Sequence, residues 1–214
     1  GSEYKHKRLT QKIFMDFWDV PSNDPRRSRE GTYFSKDYII EKNKIKVIGL
    51  DTRYFRSNLL GSRTNREPNN DPNSSILGIS QWPWLENELN DPKTEMFIIL
   101  SSIQVLPTEH GYEKWANFPH EREKLINLLQ RKKNVLILSG DRHRGAIYKH
   151  NKIIEITASS LNKPGSSDKE TDKLMRGRIH KEINYGILVI KEDALDIQLK
   201  NNDGTILESA TMSL

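Results

Sequence analysis

The sequence predicts an α/β fold with at least partly parallel strands. Three apolar runs, near 43–50, 95–102 and 134–140, read as buried strands. Helical patterns separate them, at 80–90 and 120–133. Each of the three runs ends in polar residues. A chain of 214 residues, 35% hydrophobic and 29% charged, can bury one core of that kind. Gly1-Ser2 reads as the remnant of a cleaved tag, which leaves 3–214 as a single domain.

Residues 3–40 are mixed and irregular, with "NDPRRSREG" a loop by its Asn, Pro and Gly content. "NKIKVIGLDTR" (43–53) follows as a strand that ends in Asp51. Residues 56–75, rich in Asn, Ser, Arg and Pro, form a long loop, a kind of segment that is often functional. In "SQWPWLENELNDP" Ser80 is the expected cap, Pro83 suits a first turn, and Trp82, Leu85 and Leu89 recur at helical spacing. "EMFIILSS" (95–102) is the second strand.

"HEREKLINLLQRKK" (120–133) reads as a helix started at Asn117 or Pro119. Leu125, Leu128 and Leu129 face inward and cations fill the last turn. "NVLILSGD" is the third strand. "AIYKHNKIIEIT" reads as a hairpin turning at Asn151. Residues 162–172 are a solvated loop, and 185–212 are further strands turning near Glu192-Asp193 and at Asn202-Asp203-Gly204.

The composition excludes several functions. With no cysteine there are no disulfides, zinc ribbons or thiol nucleophiles. No segment is long and apolar enough to span a membrane. The net charge of +5 favours anionic ligands, but Lys and Arg are interleaved with Asp and Glu, so nucleic acid is not an expected partner. There is no G-x-S-x-G elbow and no phosphate-binding glycine loop.

What remains is a set of polar strand ends: Asp51-Thr52-Arg53, Ser101-Ser102 with Gln104 beyond, and Ser139-Gly140-Asp141-Arg142-His143. Ligands of open α/β sheets bind at such ends. Asp141 and His143 suit a first-row metal or a close metal pair, and Arg142, Arg144 or Arg53 can hold phosphate oxygens. The same residues also read as an Asp-initiated turn beside a surface histidine. Asp51 reads as structural, hydrogen-bonded to a neighbouring loop. His110 is a weaker site candidate, and Trp82, Trp84 and Trp115 read as core.

"IKVIGLDTRYFR", "LGISQWPWLENEL", "SSIQVL", "EKWANFPHEREKLINLL", "LILSGDRHRGAIY", "IIEITASSLN" and "INYGILVI" occur in an order that resembles the C-terminal part of the PhoD-like metallophosphatases. These are alkaline phosphatase D relatives among the calcineurin-like metallophosphoesterases. The resemblance runs from about Gln11 to about Gly204. It implies the C-terminal half of an α/β/β/α sandwich and hydrolysis of phosphoric mono- or diesters. It also implies a two-metal centre of iron, calcium, zinc or manganese.

Asp141 and His143 match the G-D-x-H motif that supplies one ligand to each metal, and Arg142 is the variable position within it. Arg53, Arg142 and Gln104 are the expected substrate-binding residues, Gln104 at a position that the resemblance marks as recurrent without assigning its role. Trp115 and Asn184 match recurrent positions of unassigned role.

The family's other ligand motifs, which precede this region, do not occur in the sequence. The resemblance therefore implies an N-terminal half as partner, or self-association, with the metal sites otherwise unfilled. Many relatives are exported, which favours a periplasmic or extracellular location. The alternative is a non-catalytic module that keeps the fold and binds an anion or a partner.

Overall fold

The computed structural model describes residues 1–214 apart from 166 and 168, so that part of the expected loop 162–172 lies outside the described residues. In chain order the first elements are α1 (Lys7–Phe17), β1 (Phe34–Ile40), β2 (Asn43–Gly49), β3 (Leu60–Gly61), β4 (Arg66–Glu67), α2 (Gly78–Leu89) and β5 (Met96–Ser101). Next come α3 (Pro119–Gln130), β6 (Val135–Ser139), β7 (Gly145–His150), β8 (Ile153–Ala158) and β9 (Met175–His180). The chain closes with β10 (Asn184–Ile190), β11 (Ala194–Asn201) and β12 (Ile206–Ser213).

Seven strands form the central sheet in the order β1-β2-β5-β6-β8-β7-β9. The pairs β2–β5, β5–β6 and β6–β8 are parallel, and the outer pairs are antiparallel. The apolar runs are nearly continuous because both faces are covered. Side chains alternate between them. Ile48, Phe97, Ile99, Val135 and Ile137 pack with Leu85, Leu89, Leu125 and Leu129 of α2 and α3. Ile45, Met96, Ile98 and Leu136 face the opposite way, in the cluster that holds Leu195, Ile197, Leu199 and Met212. Those last four belong to the second sheet, β10-β11-β12, so the layers run helices, sheet, sheet.

The start of α2 differs from expectation. Ser80 does not cap it. The helix begins at Gly78, whose N–H donates to Ser75 Oγ at 2.7 Å. Gly78 has φ +69°, and a Cβ there would lie 2.8 Å from the Phe55 Cβ. The orphan donors before α2 go to Glu121 of α3: its Oε2 accepts from Ile76 N at 2.8 Å and Ser75 Oγ at 2.9 Å, and its Oε1 from Trp82 Nε1 at 2.7 Å. Pro83 lies inside α2, past its first turn.

Helix α3 starts with Pro119 at its first position and buries Leu125, Ile126 and Leu129, with Leu128 half-buried. It ends at Gln130, so the cations Arg131, Lys132 and Lys133 follow the last turn instead of filling it. Five of these elements lie in stretches without a sequence signal: α1 and β1 within 3–40, β3 and β4 within the loop 56–75, and β9 beyond the loop 162–172. The hairpin turn at Asn151 forms with φ +53°.

Candidate functional site

Because β2, β5 and β6 are adjacent and parallel, their polar ends share one edge. Thr52 and Ser102 hydrogen-bond through their hydroxyls. Asp51 is structural, as its position suggests. Its carboxylate accepts from Thr32 N and Tyr54 N at 2.8 Å and from Arg53 N at 2.9 Å. Gln81 of α2 brackets its backbone with two 2.9 Å bonds. The bracket fixes where Arg53 leaves the sheet.

The turn after β6 carries the acid and the imidazole. Asp141 has φ +68° and His143 φ +52°, both left-handed and uncommon away from glycine. Ser159, just past β8, ties the turn down. Its Oγ accepts from Arg142 N and donates to Arg144 O, each at 3.1 Å.

Asp141, His143, Arg142 and Arg53 line one cleft of about 470 Å³. Arg53 donates through Nη1 to Glu113 Oε2 at 2.6 Å, and its Nη2 lies 3.8 Å from Asp141 Oδ1. Burial raises the Asp141 carboxyl above its ordinary value, and Arg53 opposes the rise. Arg142 and Arg144 share Glu170 Oε2, at 2.5 and 2.7 Å, and Arg142 also stacks 4.4 Å from the Tyr112 ring centroid. The Arg142 side chain is only 4% exposed, so its charge is spent inside the protein.

Gln104 does not reach the cleft. It is fully buried and donates to Thr157 Oγ1 at 2.8 Å, which also bonds Ser139 Oγ at 2.8 Å. His110 is buried beside the cleft wall. Burial first, then the cations Arg142, Lys114 and Arg144, hold its pKa down to about 2. The indole of Trp115 is fully buried and donates to Ser101 Oγ at 3.0 Å, and Trp82 is also core.

The donor set does not make a metal centre alone. Among the described residues no group of three or more His, Cys, Asp or Glu side chains is placed to hold a metal ion. Asp141 and His143 give two donors, and the first has an arginine beside it.

Several site residues carried little local signal. Arg63 and Arg66 reach the cleft from the hairpin β3–β4, inside the long loop. Glu113 and Tyr112 come from the loop after β5, and Lys163 from the loop after β8. Only the Arg-rich composition of 56–75 hinted at any of them. Glu170, in a stretch expected to be solvated, instead clamps two buried arginines.

The sequence pattern of the PhoD-like phosphatases matches residues 42–207. The alkaline phosphatase D of Bacillus subtilis (strain 168) is 29% identical over 107 residues, covering 44% of this chain and 18% of that protein. A solved structure of PhoD overlays 97% of this chain on 46% of its own, with TM-score 0.72 and 17% identity. GAP50 of Plasmodium, described as the anchor in the inner membrane complex, overlays 86% of this chain on 54% of its own, with TM-score 0.63 and 11% identity. The chain thus spans about half the length of the solved relatives it matches. A match over residues 42–207 runs from β2 through β11 and takes in the cleft turn, and the chain belongs to the PhoD-like phosphatase family.

Proposed function

We propose that this chain supplies the Asp141–His143 turn and a cationic cleft to a metal-dependent phosphoric ester hydrolase. The observation that carries the reading is the convergence of Asp141, His143 and Arg53 in one cleft at the ends of parallel strands. Family membership adds the reaction class. Phosphomonoesters and phosphodiesters both fit a cleft of this size and charge.

Asp141 and His143 would be this chain's two ligands to a metal pair of iron, calcium, zinc or manganese. The remaining ligands would come from the segment that longer relatives carry ahead of the matched region, or from self-association. Arg53, 45% exposed at the mouth, is the guanidinium placed to meet phosphoryl oxygens. Arg142 and Gln104 act as positioning residues: one fixes the loop through Glu170, the other fixes the strand end through Thr157.

A second reading rests on the donor count. Because no three metal-capable side chains converge among the described residues, the chain on its own fits a module that binds an anion or a partner. Fold does not decide between them, since one protein of this fold is described as an anchor.

Metal content separates the readings. The chain assembled with the complementary segment of a relative is expected to retain metal stoichiometrically after desalting. Asp141→Ala and His143→Ala should each lose it. An assembly that holds no metal, or holds it equally in both variants, would leave the binding-module reading.

A further inference from the structure

The cations of the cleft fall into two sets. Each cation of the inner set has a carboxylate partner within the protein. Arg53 is paired with Glu113 and lies near Asp141, and Arg142 and Arg144 share Glu170. The outer set differs. Arg63, Arg66 and Lys163 line the same cleft, and none has a carboxylate partner among the described residues. The guanidinium of Arg66 donates once, to Gly61 O at 3.1 Å, and keeps its other donors.

These rim cations sit on fixed mounts. Arg66 N donates to Gly111 O at 2.6 Å, which joins the hairpin β3–β4 to the loop that holds Tyr112 and Glu113. The contact is close: a Cβ on Gly111 would lie 2.3 Å from Thr64 O. Gly61 has φ +73°, and a Cβ there would lie 2.3 Å from Asn65 O, so the hairpin turn needs glycine. On a second loop lining the cleft Gly165 N donates to Lys181 O at 3.0 Å, and a Cβ on Gly165 would lie 2.6 Å from His143 O. Lys163 is thereby seated beside the Asp141–His143 turn.

Cations without a carboxylate partner among the described residues, beside a set that has such partners, call for an anion of their own. We propose that Arg63, Arg66 and Lys163 form a second phosphate subsite, so that the substrate carries another phosphate group beyond the one at Asp141 and His143. The inference rests on the phosphoesterase reading for the inner end. The subsite itself needs no turnover. A cleft of about 470 Å³ has room for both groups.

The test is calorimetric titration of the chain with inorganic phosphate and with inorganic pyrophosphate at 0.15 M salt, where exposed charges more than about 8 Å away are largely screened. Pyrophosphate is expected to bind at least tenfold more tightly than phosphate. Arg63→Gln with Arg66→Gln should remove most of that advantage and leave phosphate within about twofold. Lys163→Gln, on a separate loop, should reduce it without touching the hairpin. Lys42→Gln, a distant exposed cation paired with Glu192, should change neither.

Equal affinity for the two ligands would overturn the proposal. So would a parallel loss of both in the rim variants, or an equal loss in Lys42→Gln. Failure of the phosphoesterase reading looks different: pyrophosphate would still bind at the rim while the assembled protein held no metal.

Discussion

Arg53 Nη2 stands 3.8 Å from Asp141 Oδ1, so the ends of β2 and β6 meet in front of the strand that separates them. The contact joins the one exposed arginine of the inner cleft to the carboxylate of the turn. Arg53 also works against the burial that raises the Asp141 carboxyl above its ordinary value.

Arg53→Gln should therefore move the Asp141 titration further up. Carbon-detected NMR of the carboxyl reads this directly. An unchanged or lower midpoint would mean that Arg53 does not act on Asp141 in solution.

Glu121 and Trp82 make a second prediction, on stability. The Glu121 carboxylate accepts from the buried indole at 2.7 Å and from Ser75 and Ile76 at the start of α2. Glu121→Ala leaves those donors unsatisfied and should cost about 3 kcal/mol in urea unfolding. Glu121→Gln, which keeps an acceptor, should cost less. A loss under about 1 kcal/mol for the alanine variant would mean water replaces the carboxylate.

The pH dependence has two opposing parts. Glu155 on β8 is fully buried and accepts from Leu106 N at 2.6 Å. Burial pushes its carboxyl from 4.5 up to about 7. The native state thus binds more protons than the unfolded chain across that interval. Stability present below pH 4.5 is lost as pH rises through 7, on the order of 3 kcal/mol. His110 is the reverse. Its pKa is held down to about 2 from 6.5, so its contribution is present above pH 6.5 and lost as pH falls. Glu155→Gln should remove the falling contribution between pH 4.5 and about 7. His110→Gln should flatten the decline on the acid side. Denaturant midpoints across pH that keep the wild-type slopes in either variant would contradict the assignment.

Glu170 holds two guanidiniums whose side chains are 4% and 10% exposed. Glu170→Ala leaves them buried without a carboxylate and should cost about 3 kcal/mol. Added sulfate should raise the melting temperature of this variant more than that of the wild type. An equal response in both would mean the arginines find another partner.

What the sequence makes legible follows from local physics. The three parallel strands announce themselves because both faces are buried, so Ile48 follows Val47, Ile98 stands between Phe97 and Ile99, and Leu136 between Val135 and Ile137. The Asp141–His143 turn is visible because polar residues end an apolar run. Helix α1 is not visible: its N-cap His6 makes no side-chain bond, and Leu9, Ile13 and Phe17 are exposed. The capping of α2 by Glu121 joins residues more than forty positions apart, and no local rule reports it. The same holds for Glu170, which looks like one charge in a polar loop until Arg142 and Arg144 fold against it. Gln104 stands at a strand end like a binding residue, and only the fold shows its amide turned inward to Thr157.

The proposed role of the Asp141–His143 turn in phosphoric ester hydrolysis is tested most directly by the turnover of a chromogenic phosphomonoester by the chain assembled with the complementary segment of a relative, metal supplied. Activity is expected above that of either part alone, reduced at least a hundredfold by Asp141→Ala or His143→Ala and untouched by Lys42→Gln. Activity that survives both substitutions, or an assembly that forms, binds metal and hydrolyses nothing, would contradict it.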